Sequence, residues 1–452
     1  MTVKNNHQHF LNLRKEYSFF EYQSYSFSFI NGNLVAEFCF SLSGKVSFKP
    51  TITIPSRDFY LVNLDKTGLD NFVFHIGMVE LISYWKAACS PRVIIKPHKL
   101  NQDQISWWKK LYFNGLGEFF YLNGIETDQD VFMSISSQGV EMGVSTTKLD
   151  DNKVVIPIGG GKDSVVTLEL LKNKGIKVIP MIVNPREASI RTIETAGFNE
   201  NQSVIVQRKI DGKLLELNSQ GFLNGHTPFS ALLAFTGVLS CVIAGVSNIA
   251  LSNESSANES TVPGSKINHQ YSKSFEFEDD FNQYVKKYLN PNINYFSFLR
   301  PVNELQIAKL FSGFPQHFNG FRSCNVGSST DSWCGMCPKC LFTFIILSPF
   351  VEVAVLQNIF GKDMLNDPTL EDIFKELAGI ADIKPFECVG TPDEVMAALA
   401  KYSINNFNDV VLLKNIDLKS KIKEFHRMIS EYNTEHLLSK RFESILKNEL
   451  ND

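Results

Sequence analysis

Aromatic and aliphatic residues alternate with polar ones from about residue 18 to residue 60, in "YQSYSFSF", "LVAEFCFSL" and "KVSFKPTITI". A period of two predicts half-buried strands, and the Asn31-Gly-Asn and Ser43-Gly stretches between them predict hairpin turns. Further on the period lengthens. "FVFHIGMVELISYWKAA" predicts a helix, and "ISWWKKLYFNGLGEFFYLNGI" a second helix or one broken at its glycines. Residues 1–150 thus read as an N-terminal α+β module, a candidate for substrate recognition.

After "KLDDNKV" strands and helices alternate. A strand over 153–158 runs through glycines into a helix over 164–174 closed by Gly175, then come the strand "KVIPMIVN" and a helix from Arg186 to Ala196 closed by Gly197. "SVIVQRKI" and "NIALS" supply two more strands. Such alternation predicts an α/β domain over 151–345 built on a doubly wound parallel sheet. From 346 to 452 the chain turns helical and charged, in "TLEDIFKELAGIAD", "TPDEVMAALAKYS" and a long tract from Leu418, and reads as a solvated helical region. Its Thr391-Pro-Asp-Glu start is a helix N-terminal signal.

Two apolar runs call for a membrane test. No residue from Pro228 to Asn253 is charged, a length that would span a bilayer, but Gly245-Val-Ser-Asn is a helix stop, so a buried helix followed by a buried strand is expected. "CLFTFIILSPFVEVAVL" is interrupted by Pro349 and Glu352 and predicts a core helix broken at the proline. The N-terminus lacks the apolar stretch of a secretory signal, and the expectation is a cytoplasmic protein without membrane association. With 452 residues, 44% of them hydrophobic, the chain can bury a large core in two or three domains. The 44 basic and 48 acidic residues leave a net charge of -4, which argues against a nucleic-acid partner.

The turn "VVIPIGGGKDSVVTLELL" joins the first strand of the α/β domain to its first helix. A strand-to-helix turn aims backbone N–H groups and the positive helix end at one point, which suits phosphate. Spacing excludes a Walker A loop, because Lys162 follows adjacent glycines and precedes Asp163, and a dinucleotide fingerprint would need glycine at Ser164. Gly159-Gly160-Gly161-Lys162-Asp163-Ser164 instead resembles the S-G-G-x-D-S loop of the N-type ATP pyrophosphatases, with Gly159 in place of the serine. That resemblance implies an adenine nucleotide α-hydrolase-like fold and an enzyme that splits ATP between its α- and β-phosphates. It also implies that the loop amides and Ser164 hold the β- and γ-phosphates, that Lys162 meets their charge, and that Asp163 caps the helix or helps hold Mg²⁺. By the same resemblance the adenine edge meets the chain near Ile182 to Asn184, with Val183 and Asn184 as contacts.

Half of the eight cysteines lie in "SCNVGSSTDSWCGMCPKC". Cys324, Cys334, Cys337 and Cys340 follow the spacing C-x9-C-x2-C-x2-C, which suits a tetrahedral, closed and therefore structural Zn²⁺ site on a loop of the α/β domain. Cys39, Cys89, Cys241 and Cys388 read as buried thiols. The same spacing occurs in 7-cyano-7-deazaguanine synthases, which share the pyrophosphate loop.

Three polar strings, "NGHTPFSA" (224–231), "SNESSANES" (252–260) and "NHQYSKSFEFEDDF" (268–281), follow or connect sheet elements, where open α/β sheets bind ligands. Asn253, Glu254 and Asn258 are substrate-contact candidates. Together with "LYFNGLGEFFYLNGI" and "FLRPVNELQIAKLFS", these strings resemble the bacterial UDP-N-acetyl-α-D-muramoyl-L-alanyl-L-glutamate epimerases of the MurL type, over about 100–350. The resemblance implies ATP-dependent adenylation of the terminal L-Glu carboxylate of a UDP-activated muramoyl dipeptide, inversion at its Cα, and release of AMP and pyrophosphate, with a ligase that adds L-Glu as a functional partner. Removal and return of the Cα proton need a base and an acid, for which His226, Glu254, His269 and Lys273 are the candidates. The alternatives are a ligase forming an amide or nitrile by the same adenylation, a tRNA-modifying enzyme, and a protein that senses ATP without turnover.

Overall fold

The computed structural model describes residues 3–55, 66–259, 268–381, 384–405, 410–414 and 416–451. Its strands are β1 (Phe19–Ile30), β2 (Asn33–Leu42), β3 (Val46–Phe48), β4 (Thr51–Pro55), β5 (Arg92–Ile95), β6 (Ser134–Ser137), β7 (Asp150–Pro157), β8 (Lys177–Val183), β9 (Val204–Lys209), β10 (Val246–Leu251) and β11 (Asn294–Ser297). The helices up to the end of β10 are α1 (His7–Glu16), α2 (Lys66–Trp85), α3 (Gln102–Gly115), α4 (Gly117–Leu122), α5 (Lys162–Asn173), α6 (Glu187–Thr195), α7 (Gly212–Ser219) and α8 (Phe229–Ala244). After it come α9 (Phe275–Tyr288), α10 (Glu304–Ser312), α11 (Pro338–Leu347), α12 (Val353–Phe360), α13 (Glu371–Leu377), α14 (Pro392–Asn405), α15 (Ile422–Ser430) and α16 (Lys440–Asn451). The fold is mixed α/β. The chain forms two compact units, one of residues 1–155, 204–249 and 270–294, the other of residues 156–203, 250–269 and 295–452. One division falls after residue 155, near the expected 150, but residues 204–249 and 270–294 return to the first unit and no division falls near 345.

In the first unit the alternating tract forms an antiparallel meander. β1 and β2 close on the Ile30↔Asn33 pair through Asn31 (φ 50) and Gly32 (φ 71), the left-handed pair that a two-residue hairpin matching the strand twist requires. β2 pairs antiparallel with β4, and β1 parallel with β5, which pairs parallel with β6. The third strand expected in the α/β domain, β9, pairs antiparallel with β4, through Thr51↔Lys209 to Thr53↔Gln207. Both strands belong to the first unit, which takes in residues 204–249.

α2 packs against β1, β2 and α8 and is buried on all sides from Phe72 to Trp85. Gly77 permits the approach to β1, since a Cβ there would lie 2.0 Å from the Tyr22 hydroxyl. Its buried His75 and Glu80 are partnered: His75 bonds the Asn71 carbonyl and the Tyr284 hydroxyl at 2.9 Å each, and Glu80 accepts two bonds from Arg208 at 2.8 and 2.9 Å. α3 and α4 are the expected helix broken at its glycines. α8 stops at Gly245 (φ 67) and feeds β10, buried along its length, as the apolar run predicts. No helix among the described residues is long and apolar enough to cross a membrane.

In the second unit, Ile158 N–H bonds the Met181 carbonyl at 2.7 Å beside β8, and Phe298 N–H bonds Leu251 of β10 at 2.7 Å. The strand order β11-β10-β7-β8 reverses the direction of winding between β10 and β7. β7 and β10 pair parallel through residues of the first unit, Val246↔Asp150 to Ile249↔Val155, and their carboxyl ends, which open on one edge, are the residues that belong to the second. In open α/β sheets such a reversal is where ligands bind.

α11 is buried from Cys340 to Leu347 and ends before Pro349, as predicted, with α12 resuming at Val353. The C-terminal region departs from its expectation as a solvated appendage. α14 packs against α10, α11 and α15, with Val395, Ala397, Ala398 and Leu399 fully buried. The charges of "TPDEVMAALAKYS" share the helix with small apolar residues whose burial needs α11 as a partner. Cys89 and Cys241 are buried as expected, whereas Cys39 and Cys388 are half-buried.

Candidate active site on the glycine turn

The turn leaves β7 at Pro157 and enters α5 with Gly161 as N-cap. Gly160 has φ +86, and a Cβ there would sit 2.8 Å from the backbone of Ala188 and Ser189, so only glycine lets the first turn of α6 lie on the loop. Gly159 faces open space: a Cβ there would meet nothing within 4 Å, so the hydroxyl-bearing residue of the resembled pattern would fit. Both loop carbonyls are held from the side, Gly159 O by the Arg186 guanidinium at 3.1 Å and Gly160 O by Arg322 N–H at 2.8 Å. Among the described residues no hydrogen bond takes the N–H groups of Gly159, Gly160 or Gly161. With the first N–H groups of α5, which have no intrahelical acceptor, they form a concave donor surface of the type that binds anions.

Lys162, which opens α5, points away from solvent. Its Nζ donates to Asp163 Oδ1 at 2.5 Å and to Glu304 Oε2, and both Lys162 and Glu304 are buried while the Asp163 side chain is 34% exposed. Burial would pull the ammonium down, but Asp163 and Glu304 outweigh it and raise its pKa. Burial pushes the Glu304 carboxyl up to about 8; Lys162 opposes the shift, and Asp163, Glu254 and Glu394 add to it.

Glu304 is the first residue of α10, after the N-cap Asn303. Its N–H donates to Glu394 Oε1 at 2.9 Å. The other oxygen of Glu394 accepts Thr391 N–H at 2.6 Å, and Glu394 N–H returns a bond to the Thr391 hydroxyl at 3.1 Å. The capping box of α14 is thereby tied to the start of α10, and a C-terminal helix reaches the residue that holds the loop lysine.

The string after β10 lies on the same edge of the sheet. Glu254 is buried, its Oε1 accepting the Ser256 hydroxyl at 3.4 Å and its carbonyl accepting the fully buried Arg300 guanidinium at 2.7 Å. Asn253 donates to the Ser297 hydroxyl at 3.0 Å. Asn258 ends a short 3-10 turn and is exposed; Ser260, the last residue of the string, lies outside the described residues. At the end of β8, Val183 is half-buried and Asn184 takes φ 49 on the surface.

The four proton-transfer candidates divide between the units. Glu254 and His269 belong to the second, where His269 lowers the pKa of Glu387, a group that burial chiefly raises. His226 and Lys273 belong to the first; His226 Nδ1 lies 3.5 Å from Glu118, and Lys273 ends a 3-10 turn before α9.

The four cysteine sulfurs lie within 4.8 Å of one another. The Cys324–Cys337, Cys334–Cys340 and Cys337–Cys340 separations are 3.7, 3.7 and 3.5 Å. A disulfide would need about 2.05 Å. Tetrahedral Zn–S bonds of about 2.3 Å place sulfurs about 3.8 Å apart, so this donor set fits Zn²⁺. Gly327 N–H at 3.1 Å from Cys324 Sγ and Met336 N–H at 3.4 Å from Cys334 Sγ supply the amide bonds that stabilise thiolates. Cys324 follows Arg322-Ser323 directly, so the cluster anchors the strap that runs along the glycine turn.

Sequence reasoning missed Glu304, Glu394, Arg186 and Arg322. Thr391-Pro-Asp-Glu signalled a helix start but not its burial, and an arginine at a helix entry or before a cysteine carries no spacing signal.

Residues 12–298 match the MurL N-terminal domain family and residues 320–426 the MurL C-terminal domain family. A protein of Xanthomonas oryzae pv. oryzae, named UDP-N-acetyl-alpha-D-muramoyl-L-alanyl-L-glutamate epimerase, is 32% identical over 77% of this chain and 78% of its own length. Proteins of the same name from Salinispora tropica and a Micromonospora species are each 31% identical over 84% of this chain, and over 84% and 86% of their own lengths.

Proposed function

The chain belongs to the MurL family, and from that premise we propose that it inverts the terminal L-Glu of UDP-MurNAc-L-Ala-L-Glu to D-Glu in peptidoglycan precursor synthesis. The observation that carries this reading is the match to three proteins named for that activity across 77–84% of the chain.

The glycine turn supports an ATP-dependent route. A free carboxylate opposes loss of the neighbouring Cα proton, because two negative charges would share one small group. In our reading a carboxylate oxygen attacks the α-phosphorus of ATP, the bond to the bridging oxygen breaks, and its electron pair leaves with pyrophosphate. The acyl adenylate carries no charge at its carbonyl and can delocalise the carbanion as an enolate, which lowers the barrier to proton removal. After reprotonation on the opposite face, water releases AMP and the D-Glu product.

The free N–H groups of the turn and Ser164 would receive the β- and γ-phosphates. Asp163, part of whose carboxylate reaches solvent, would share Mg²⁺ with them. Val183 and Asn184 would border the adenine, while Asn253 and Asn258 would contact the dipeptide. We assign the base to Glu254, which is buried on the edge of the sheet where the turn opens. The cysteine cluster would hold a structural Zn²⁺. A ligase that joins L-Glu to the muramoyl-alanyl acceptor must supply the substrate.

Incubation with UDP-MurNAc-L-Ala-L-Glu and ATP in deuterated water tests the reading. Deuterium at the glutamyl Cα with release of AMP and pyrophosphate is expected. Absence of label under all conditions would overturn epimerisation, and equal labelling without ATP would remove adenylation alone.

A further inference from the structure

The loop lysine is engaged elsewhere, which leaves a charge problem. A departing pyrophosphate gains negative charge as the α–β bridge breaks, and backbone dipoles offset only part of it. Lys162, the only cation within the turn, is buried against Glu304 and Asp163. The side chain of one arginine and the main chain of another bond the loop instead.

Arg186, half-buried at the entry to α6, reaches across to the Gly159 carbonyl. Arg322, on the strap before Cys324, bonds the Gly160 carbonyl through its main chain. The Arg322 Nε is buried and has no hydrogen-bond partner among the described residues, and one Nη donates to the carbonyl of Phe321; the charges that act on this guanidinium are the carboxylates of Asp331 and Glu187 and the like charge of Arg191. An unsatisfied buried guanidinium N–H is costly, and a carboxylate or phosphate oxygen is its natural acceptor. Strap and loop also run close together at Gly161, where a Cβ would lie 3.5 Å from the Ser323 Cβ.

We propose that Arg186 and Arg322 form a cationic clamp for the outgoing pyrophosphate at the glycine turn, the part that Lys162 does not take while it is bound to Glu304. The clamp rests on the adenylation reading and deepens it. Guanidinium groups suit the task because their planar forks pair two phosphate oxygens at once. The zinc-type cluster then acts on catalysis indirectly, by holding the strap that carries Arg322.

Calorimetric titration of the full-length protein with inorganic pyrophosphate, and separately with AMP, tests the clamp in wild type, Arg186→Ala, Arg322→Ala and Arg322→Lys. Pyrophosphate affinity is expected to fall about tenfold or more in each alanine variant and less in Arg322→Lys, with AMP affinity and melting midpoints unchanged. Should Arg322→Ala fail to fold, Arg186→Ala and Arg322→Lys carry the same comparison. Wild-type affinity for pyrophosphate in the arginine variants would overturn the clamp and leave adenylation standing. Equal losses for AMP and pyrophosphate would also overturn it, because they would mean a collapsed loop. A wild-type protein that binds neither pyrophosphate nor ATP would overturn both.

Discussion

Glu304 shows how one buried carboxyl can link loop charge to stability. Its pKa is raised from 4.5 to about 8, chiefly by burial. The folded state therefore holds this proton more tightly than the unfolded chain does. The resulting stabilisation is fully present below pH 4.5 and is lost as the pH rises through 8, with a slope of at most roughly 1.4 kcal/mol per pH unit. Glu304→Gln, which keeps the amide neutral at every pH and leaves Asp163 to pair Lys162, should lose less stability than wild type between pH 5 and pH 8.5 in urea unfolding. Identical pH profiles would show that Glu304 is ionised throughout. The sequence could not announce this residue: "VNELQ" marks a helix start, and only the packing of α10 against α5 brings its carboxylate to a lysine 142 positions earlier.

At the level of elements, the strap from Phe321 to Cys324 joins two motifs that were separately readable. The glycine turn and the four cysteines were each visible as spacings, but the hydrogen bond from Arg322 to Gly160 that connects them depends on where the loop lands after α10. Cys337→Ser removes one of four tetrahedral ligands and should abolish bound zinc, measured by elemental analysis, and lower the melting midpoint. Pyrophosphate affinity should fall with it, because the strap that presents Arg322 loses its anchor. Full zinc content in the variant would refute the site. α14 carries a related lesson. Its capping residues Thr391 and Glu394 were legible as a helix signal, yet the second bond of Glu394, to the Glu304 backbone, becomes visible only when α10 and α14 are side by side.

For the whole molecule, discontinuity matters most. The first unit takes β9, α8 and α9 from the middle of the chain, and the second collects residues on both sides of β9 and the whole C-terminal region. A fragment of residues 1–150 lacks β9, which pairs with β4, and α8, which covers α2. That fragment should show no cooperative thermal transition by circular dichroism, since the apolar faces of β4 and α2 lose their cover. A sharp transition like that of the intact chain would show that the N-terminal segment is an independent domain. Local patterns were enough for the hairpin at Asn31-Gly32, the buried helix and strand on either side of Gly245, the glycine turn and the cysteine spacing, because each depends on backbone preference or on residues close in sequence. Strand neighbours, the burial of α14, the capture of Lys162 by Glu304 and the placing of two arginines at one loop depend on contacts between distant segments. Those contacts are selected by the joint burial of apolar surface, to which a local window of residues is blind.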